Sequence, residues 1–228
     1  MTDHTTSNVV DIFTGKPMKT REEERFIRLA PELDGLEMLY SNRSSGDDLY
    51  SLKILCWGLK KSGEVVGLVP WLNKLVACPA IQDPLDGHFE GYYDPGIEEI
   101  FFEPPIHKVV ELETAAEYYE YDGYAADEIM QEVPDTIGTH AVLMDDEKQN
   151  LILSEVVSWR LYGDGTLRGT LIDHDRVHNT PVLPGDACLY TTDEAGDFRY
   201  FFQHSIANKI KQEDPEALAA IAALVESG

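Results

Sequence analysis

The amino-acid sequence predicts an α+β fold, mainly antiparallel sheet rolled towards a barrel, with a short helical insert and a C-terminal helix. Three features carry that expectation. Apolar runs flank glycine turns at Lys60-Lys61-Ser62-Gly63-Glu64 and at Tyr162-Gly163-Asp164-Gly165-Thr166, and glycine at such positions, above all in Asp-Gly, is the strongest short-range hairpin signal. Helical spacing of apolar residues is confined to one stretch mid-chain and one near the C-terminus. Elsewhere, short runs rich in Val, Leu, Tyr, Phe and Trp are punctuated by Pro, Gly and Asp, as strands and turns require.

In chain order, Met1–Thr20 is polar apart from Val9–Phe13 and is expected to be a mobile tail. Residues 21–228 are expected to form a single globular unit, with room for two β-rich halves, 21–110 and 135–228, around an acidic helical middle. Phe26–Leu29 and Leu36–Tyr40, joined by Pro31-Glu32-Leu33-Asp34-Gly35, suggest a first hairpin; Leu52–Leu59 and Val65–Trp71 suggest a second. Pro79–Pro105 reads as loop with one strand at Ile97–Phe102.

Thr114 followed by Glu117 has the spacing of a capping box, with Glu111 and Glu113 ahead of it to complement a helix dipole. Leu112, Ala115, Ala116 and Tyr119 then recur at helical spacing until Gly123, and a second short helix is expected over Ala125–Gln131. Ala141–Met144, Leu151–Tyr162, Thr166–Asp173, Ala187–Thr191 and Phe198–Phe202 read as a meander. Asp214-Pro215 supplies an N-cap and a first-turn proline, and Leu218, Ile221, Ala222 and Val225 line one face of a closing helix. No internal repeat is apparent from the sequence.

The formal charge of −24 excludes binding to the phosphates of nucleic acid, which needs Lys and Arg to displace counterions, and docking on an anionic membrane. No apolar run approaches the roughly 18 residues of a membrane helix, and the N-terminus lacks a signal-peptide layout, so a soluble cytoplasmic protein is expected. Cys56, Cys78 and Cys188 are widely spaced in apolar surroundings, which suits reduced core thiols and not zinc ligands, which come in close pairs. No nucleophile elbow or phosphate-binding loop is present.

The acidity is concentrated. Asp83 to Glu147 holds nineteen acidic residues and one base, Lys108, and so carries −18 of the −24. Within it, Glu117, Tyr118, Tyr119, Glu120, Tyr121, Asp122 and Tyr124 combine negative charge with tyrosines, which give large contact area at low entropic cost. Such a run is expected to dock a basic protein, because opposite potentials speed encounter and fix register. Its plainer reading is a solvated acidic face with its tyrosines turned inward.

Two histidine clusters are candidates for a divalent metal: His88, Glu90 and Asp94, with His88 and Glu90 on one face if extended, and His174, Asp175 and His178. Solvated polar turns are the plainer reading of both. Two classes of function follow. The first, towards which the sequence leans, is a non-enzymatic binding or regulatory protein using its acidic, Tyr-rich surface; the second is a small metal-dependent enzyme with a His/carboxylate site.

Overall fold

The computed structural model describes residues 22–41, 49–83, 87–118, 123–145, 150–172, 174–175, 180–181 and 189–203. The expected N-terminal tail and C-terminal helix lie outside these residues. What is described is mostly antiparallel β-sheet with one short helix, and the sheets do not close into a barrel.

The first half comprises β1 (Phe26–Pro31), β2 (Glu37–Ser41), β3 (Leu49–Lys53), β4 (Cys56–Lys60), β5 (Val65–Trp71), β6 (Lys74–Ala77), a 3-10 turn at Cys78–Ala80, β7 (Gln82–Asp83), β8 (Gly87–Asp94), β9 (Glu99–Phe101) and α1 (Ile106–Tyr118). One sheet has the order β1-β4-β5-β6; another has the order β3-β2-β8-β7, with β9 on β8. The second half comprises β10 (Ile129–Pro134), β11 (Thr139–Asp145), β12 (Asn150–Tyr162), β13 (Leu167–Ile172), β14 (His174–Asp175), β15 (Thr180–Pro181), β16 (Leu189–Thr191) and β17 (Phe198–Gln203). Its main sheet has the order β16-β13-β12-β11-β17, with β10 also on β12.

These halves are two copies of one supersecondary unit, which corrects the sequence reading. The register Pro31↔Cys56, Ala30↔Trp57, Leu29↔Gly58 of β1 on β4 recurs as Pro134↔Ser158, Val133↔Trp159, Glu132↔Arg160 of β10 on β12. The irregularity between Phe26 and Arg28 recurs between Ile129 and Gln131. Trp57↔Gly67 and Leu59↔Val65 recur as Trp159↔Gly169 and Leu161↔Leu167. Met38, between Leu52 and Tyr92, has its counterpart in Ala141, between Ser154 and Phe201. The turns match too: Lys60 N–H donates to Glu64 O at 2.8 Å and Tyr162 N–H to Thr166 O at 3.0 Å, with Gly63 at φ 86° and Gly165 at φ 83°, a conformation only glycine adopts freely. The long strand β12 does the work of both β3 and β4.

The two units stack head to tail. In the first, the side bearing Trp57, Leu59 and Tyr92 forms a core with Ile27, Met38, Leu52 and Ile54, closed by Leu112 of α1. In the second, the corresponding side bearing Trp159, Leu161 and Phe201 is closed by the outer face of the first unit, through Leu29, Cys56, Val66, Leu68 and Leu75. The sheet containing β4 is therefore buried on both faces, and every residue of Cys56–Lys60 is buried. This explains the unbroken apolar runs there, since alternation is expected only when one face meets water.

On the second unit the positions matching Leu29, Cys56, Val66 and Leu68 hold Glu132, Ser158, Arg168 and Thr170. Arg160 pairs with Glu132 at 3.2 Å, and Arg168 pairs with Asp193 at 3.0 Å. The outer face of the second unit is thus more polar than that of the first, although Ser158 and Thr170 are themselves buried. Two glutamine side chains stitch the units: Gln131 bonds the N–H and O of Leu29 at 2.9 and 2.8 Å, and Gln203 bonds those of Lys53 at 3.1 and 2.8 Å.

Other expectations need correction. β1 and β2 are not a hairpin; the chain changes sheet at Glu32–Leu36, so that β1 pairs with β4 and β2 with β3 and β8. The loop expected before Pro105 contains the eight-residue strand β8, which Gly87 and Gly91 at positive φ disguised. α1 starts at Ile106, not Thr114, because Pro105 accepts the first helical bonds from Lys108 and Val109 and proline suits a helix start. The second short helix is absent: a turn over Ala125–Glu128 leads into β10, where pairing with β12 overrides local propensity.

The unit equivalence yields a stability test. A Cβ on Gly67 would lie 2.9 Å from Tyr92 Cε1 and 3.3 Å from Cys78 Sγ, whereas one on Gly169 would meet nothing closer than 3.3 Å. Gly67→Ala is expected to lose about 1–3 kcal/mol in denaturant unfolding through overpacking. Gly169→Ala should stay within about 1 kcal/mol of neutral, since reduced freedom of the unfolded chain offsets the squeeze. Equal losses would contradict this account of the interiors.

Candidate functional site

Each unit is built around an indole held by a carboxylate. Trp57 Nε1–H donates to Glu32 Oε2 at 2.6 Å, and Trp159 Nε1–H to Asp135 Oδ2 at 3.0 Å. Both carboxylates follow a strand-ending proline, Pro31 or Pro134, and organise the turn that comes next. Glu32 Oε1 accepts from the N–H groups of Asp34 and Leu36, and Asp135 Oδ1 from those of Ile137, Gly138 and Thr139 at 3.1, 2.7 and 3.0 Å. Each indole packs on one aromatic ring, Tyr92 at 5.0 Å or Phe201 at 4.9 Å between centroids.

Among the described residues, only the first carboxylate has a cation. Glu32 is 4 % exposed, and the buried Lys108 of α1 places Nζ 3.9 Å from Glu32 Oε2 and 3.2 Å from Asp34 Oδ2. His107 Nε2 lies 3.0 Å from the same Asp34 oxygen. Hydrogen bonds from His107 and Lys108 hold the Asp34 carboxyl below the usual carboxylate range. The one base of the acidic stretch is thereby committed to acids outside that stretch.

The other described carboxylates of the stretch divide into two groups. Glu90 bonds Ser41 and His88, Asp94 accepts Gly96 N–H at 2.8 Å, Glu128 accepts Ala125 N–H at 3.1 Å, and Glu132 pairs with Arg160. Glu98, Glu99, Glu103, Glu111, Glu113, Glu117 and Asp127 are all exposed and have no ion-pair partner among the described residues. Acids outside the stretch differ: Glu22 pairs with Lys61 at 2.8 Å, Glu24 and Glu64 with Lys60 at 2.7 and 3.1 Å, and Asp193 with Arg168.

The run singled out for tyrosine and charge is only partly described. Glu117 ends the described part of α1's surface and Tyr124 is exposed; the side chain of Tyr118 and the whole of Tyr119, Glu120, Tyr121 and Asp122 lie outside the described residues. Tyr92 is a core residue, its hydroxyl accepting Gly67 N–H at 3.0 Å and its pKa raised by burial. Sequence reading missed the exposed apolar residues beside the acids: Ile97, Ile100, Phe102, Ile106 and Val110. The signal was present in the Ile106–Val110 spacing, which puts both on one helix face away from Leu112.

Of the metal candidates, His88 Nδ1 lies 3.3 Å from Glu90 Oε1, so those two share a face, while Asp94 is engaged in its own turn at the far end of β8. His174 and Asp175 form β14, paired with β15, their side chains outside what is described; His178 is outside it altogether. Among the described residues no group of three or more His, Cys, Asp or Glu is placed to hold a metal ion. Cys56 and Cys78 are buried free thiols with pKa values pushed up by desolvation. Among the described residues no helix is long and apolar enough to cross a membrane.

No family model matches the chain, and neither does any curated protein or any solved structure.

Two outcomes test the charge cluster under α1. Lys108→Met is expected to cost about 3 kcal/mol, because it leaves Glu32 buried beside no cation, and adding Glu32→Gln should recover part of the loss; a double variant no more stable than Lys108→Met would refute that coupling. Because its folded pKa is depressed, Asp34 contributes stability that is fully present above the ordinary carboxylate value, about 4, and is lost as pH falls through the lower folded value. Asp34→Asn should therefore flatten the acid limb of a stability-versus-pH curve.

Proposed function

We propose that this chain is a non-enzymatic binding protein that contacts a basic protein partner through the acidic surface of β9 and α1, with the Tyr118–Tyr124 run continuing it in sequence. One observation carries the reading. Glu98, Glu99, Glu103, Glu111, Glu113 and Glu117 are exposed without a cation among the described residues, whereas acids near the β4–β5 turn are neutralised within the fold. Uncompensated charge of one sign opposes compaction by self-repulsion, and a cationic partner relieves it. The same field repels nucleic acid and anionic lipid.

The expected behaviour is capture of a lysine-rich peptide that weakens several-fold as ionic strength rises past roughly 0.15 M, where the Debye length is about 8 Å. Glu98→Gln/Glu99→Gln/Glu103→Gln should weaken capture more than Glu22→Gln/Glu24→Gln/Glu64→Gln, although both sets change the net charge equally. Absence of binding at low salt, or equal effects of the two sets in fluorescence anisotropy, would defeat the proposal.

A further inference from the structure

The outward side of α1 is the most exposed apolar element of the acidic stretch. Ile106 is 76 % exposed and Val110 53 %, while Leu112 on the opposite side is 1 % exposed. Residues four and seven apart fall on one stripe, so Ile106, Val110, Glu113 and Glu117 form a single line along the helix, spanning about 16 Å at 1.5 Å per residue. Its acidic end opens onto a cleft of about 360 Å³ between α1 and the β4–β5 turn, lined by Ile27, Leu59, Ala116 and Gly63 with Glu113 and Glu117 at its edge. Lys60 and Lys61 also line it, but Lys60 is held by Glu24 and Glu64, and Lys61 by Glu22.

Resting on the reading above, we propose that this stripe and cleft seat an amphipathic segment of the basic partner. Its apolar side chains cover Ile106 and Val110. One Arg or Lys lies in the cleft, its methylene stem over Ile27, Leu59 and Ala116 and its cationic head between Glu113 and Glu117. A long cationic side chain is the one type that matches both an apolar floor and an anionic rim, and arginine is prominent among residues that dominate interface energies. A second copy of this chain would bring like charge against the stripe, and the segment after Gln203 within this chain carries Glu213, Asp214, Glu216 and Glu226 against only Lys209 and Lys211, so it too is net acidic. Charge complementarity selects a cationic occupant over both.

The test uses the full chain and three labelled probes: a short peptide segregating Leu and Arg on opposite helix faces, a scrambled peptide of the same composition, and oligolysine. The amphipathic peptide should bind about tenfold tighter than the scrambled one, a difference near 1.4 kcal/mol. Ile106→Ser/Val110→Ser should abolish that preference while leaving oligolysine binding unchanged, and Glu113→Gln/Glu117→Gln should weaken the amphipathic peptide most. Both pairs of positions are exposed, so the variants should fold as the parent does. Equal binding of amphipathic and scrambled peptides would overturn the stripe-and-cleft proposal while leaving the acidic surface as the contact; failure of all three probes would remove the acidic-surface reading as well. Self-association in sedimentation that Ile106→Ser abolishes would make a second copy the occupant, and would overturn the proposal.

Discussion

The bond between a tryptophan N–H and a carboxylate at the end of the preceding edge strand is the constraint on which both units depend. A carboxylate moved out of water is costly unless its lone pairs are filled. Glu32 receives Trp57 Nε1–H and two turn amides, and Asp135 receives Trp159 Nε1–H and three. Filling those lone pairs dictates where the chain bends; the bend carries it from one sheet to another in the first unit and from one part of β12 to another in the second. The indole is thereby fixed against its aromatic neighbour, and the rest of each core forms around that pair.

A duplicated unit raises the problem of where stacking stops. The first unit offers an apolar outer face that fits the open interior of the second; were the second to offer the same, further copies or other molecules could add without limit, since a head-to-tail contact does not close on itself. At the matched positions Arg168 and Thr170 stand for Val66 and Leu68, so the second outer face does not repeat the apolar surface of the first. Arg168 is also held over the Tyr162 ring at 4.4 Å, so the polar face is itself ordered. At the other end α1 covers the interior of the first unit through Leu112.

The parts of this architecture legible in the sequence were those set by local backbone chemistry. Gly63 and Asp164-Gly165 announced β4–β5 and β12–β13 because positive φ at a tight turn is a local demand. The duplication was not apparent, though Trp-x-Leu with glycines following at matched distances stands at Trp57, Leu59, Gly63, Gly67 and again at Trp159, Leu161, Gly165, Gly169. The residues between differ with their surroundings, apolar where the units meet and polar on the outer face of the second unit, so similarity survives only where geometry demands a residue type. For the same reason the β1–β2 hairpin was misread: nothing local in Glu32–Gly35 reveals that its carboxylate reaches an indole on another strand. The location of the charge was plain from composition, and most of the tyrosine run within it lies outside the described residues; the exposed apolar residues on α1 and around β9 were not flagged, because only two of them, Ile106 and Val110, share a helical spacing.

Lys108 connects stability to surface. As the only base between Asp83 and Glu147, it could have been expected on the outside of α1, pairing with Glu111 or Glu113 and softening the field. Instead it is turned inward to Glu32 and Asp34, where a buried carboxylate makes its charge most valuable. The two consequences are inseparable: anchoring α1 over the first core turns the helix's own base away from its exterior. The more firmly the helix is held, the more completely its outward carboxylates are left to solvent, so a fold stabilised this way carries an uncompensated acidic stripe as a by-product of its own closure. Among the described residues no cation offsets that stripe, so what weakens its repulsion is screening salt or a cation from beyond them.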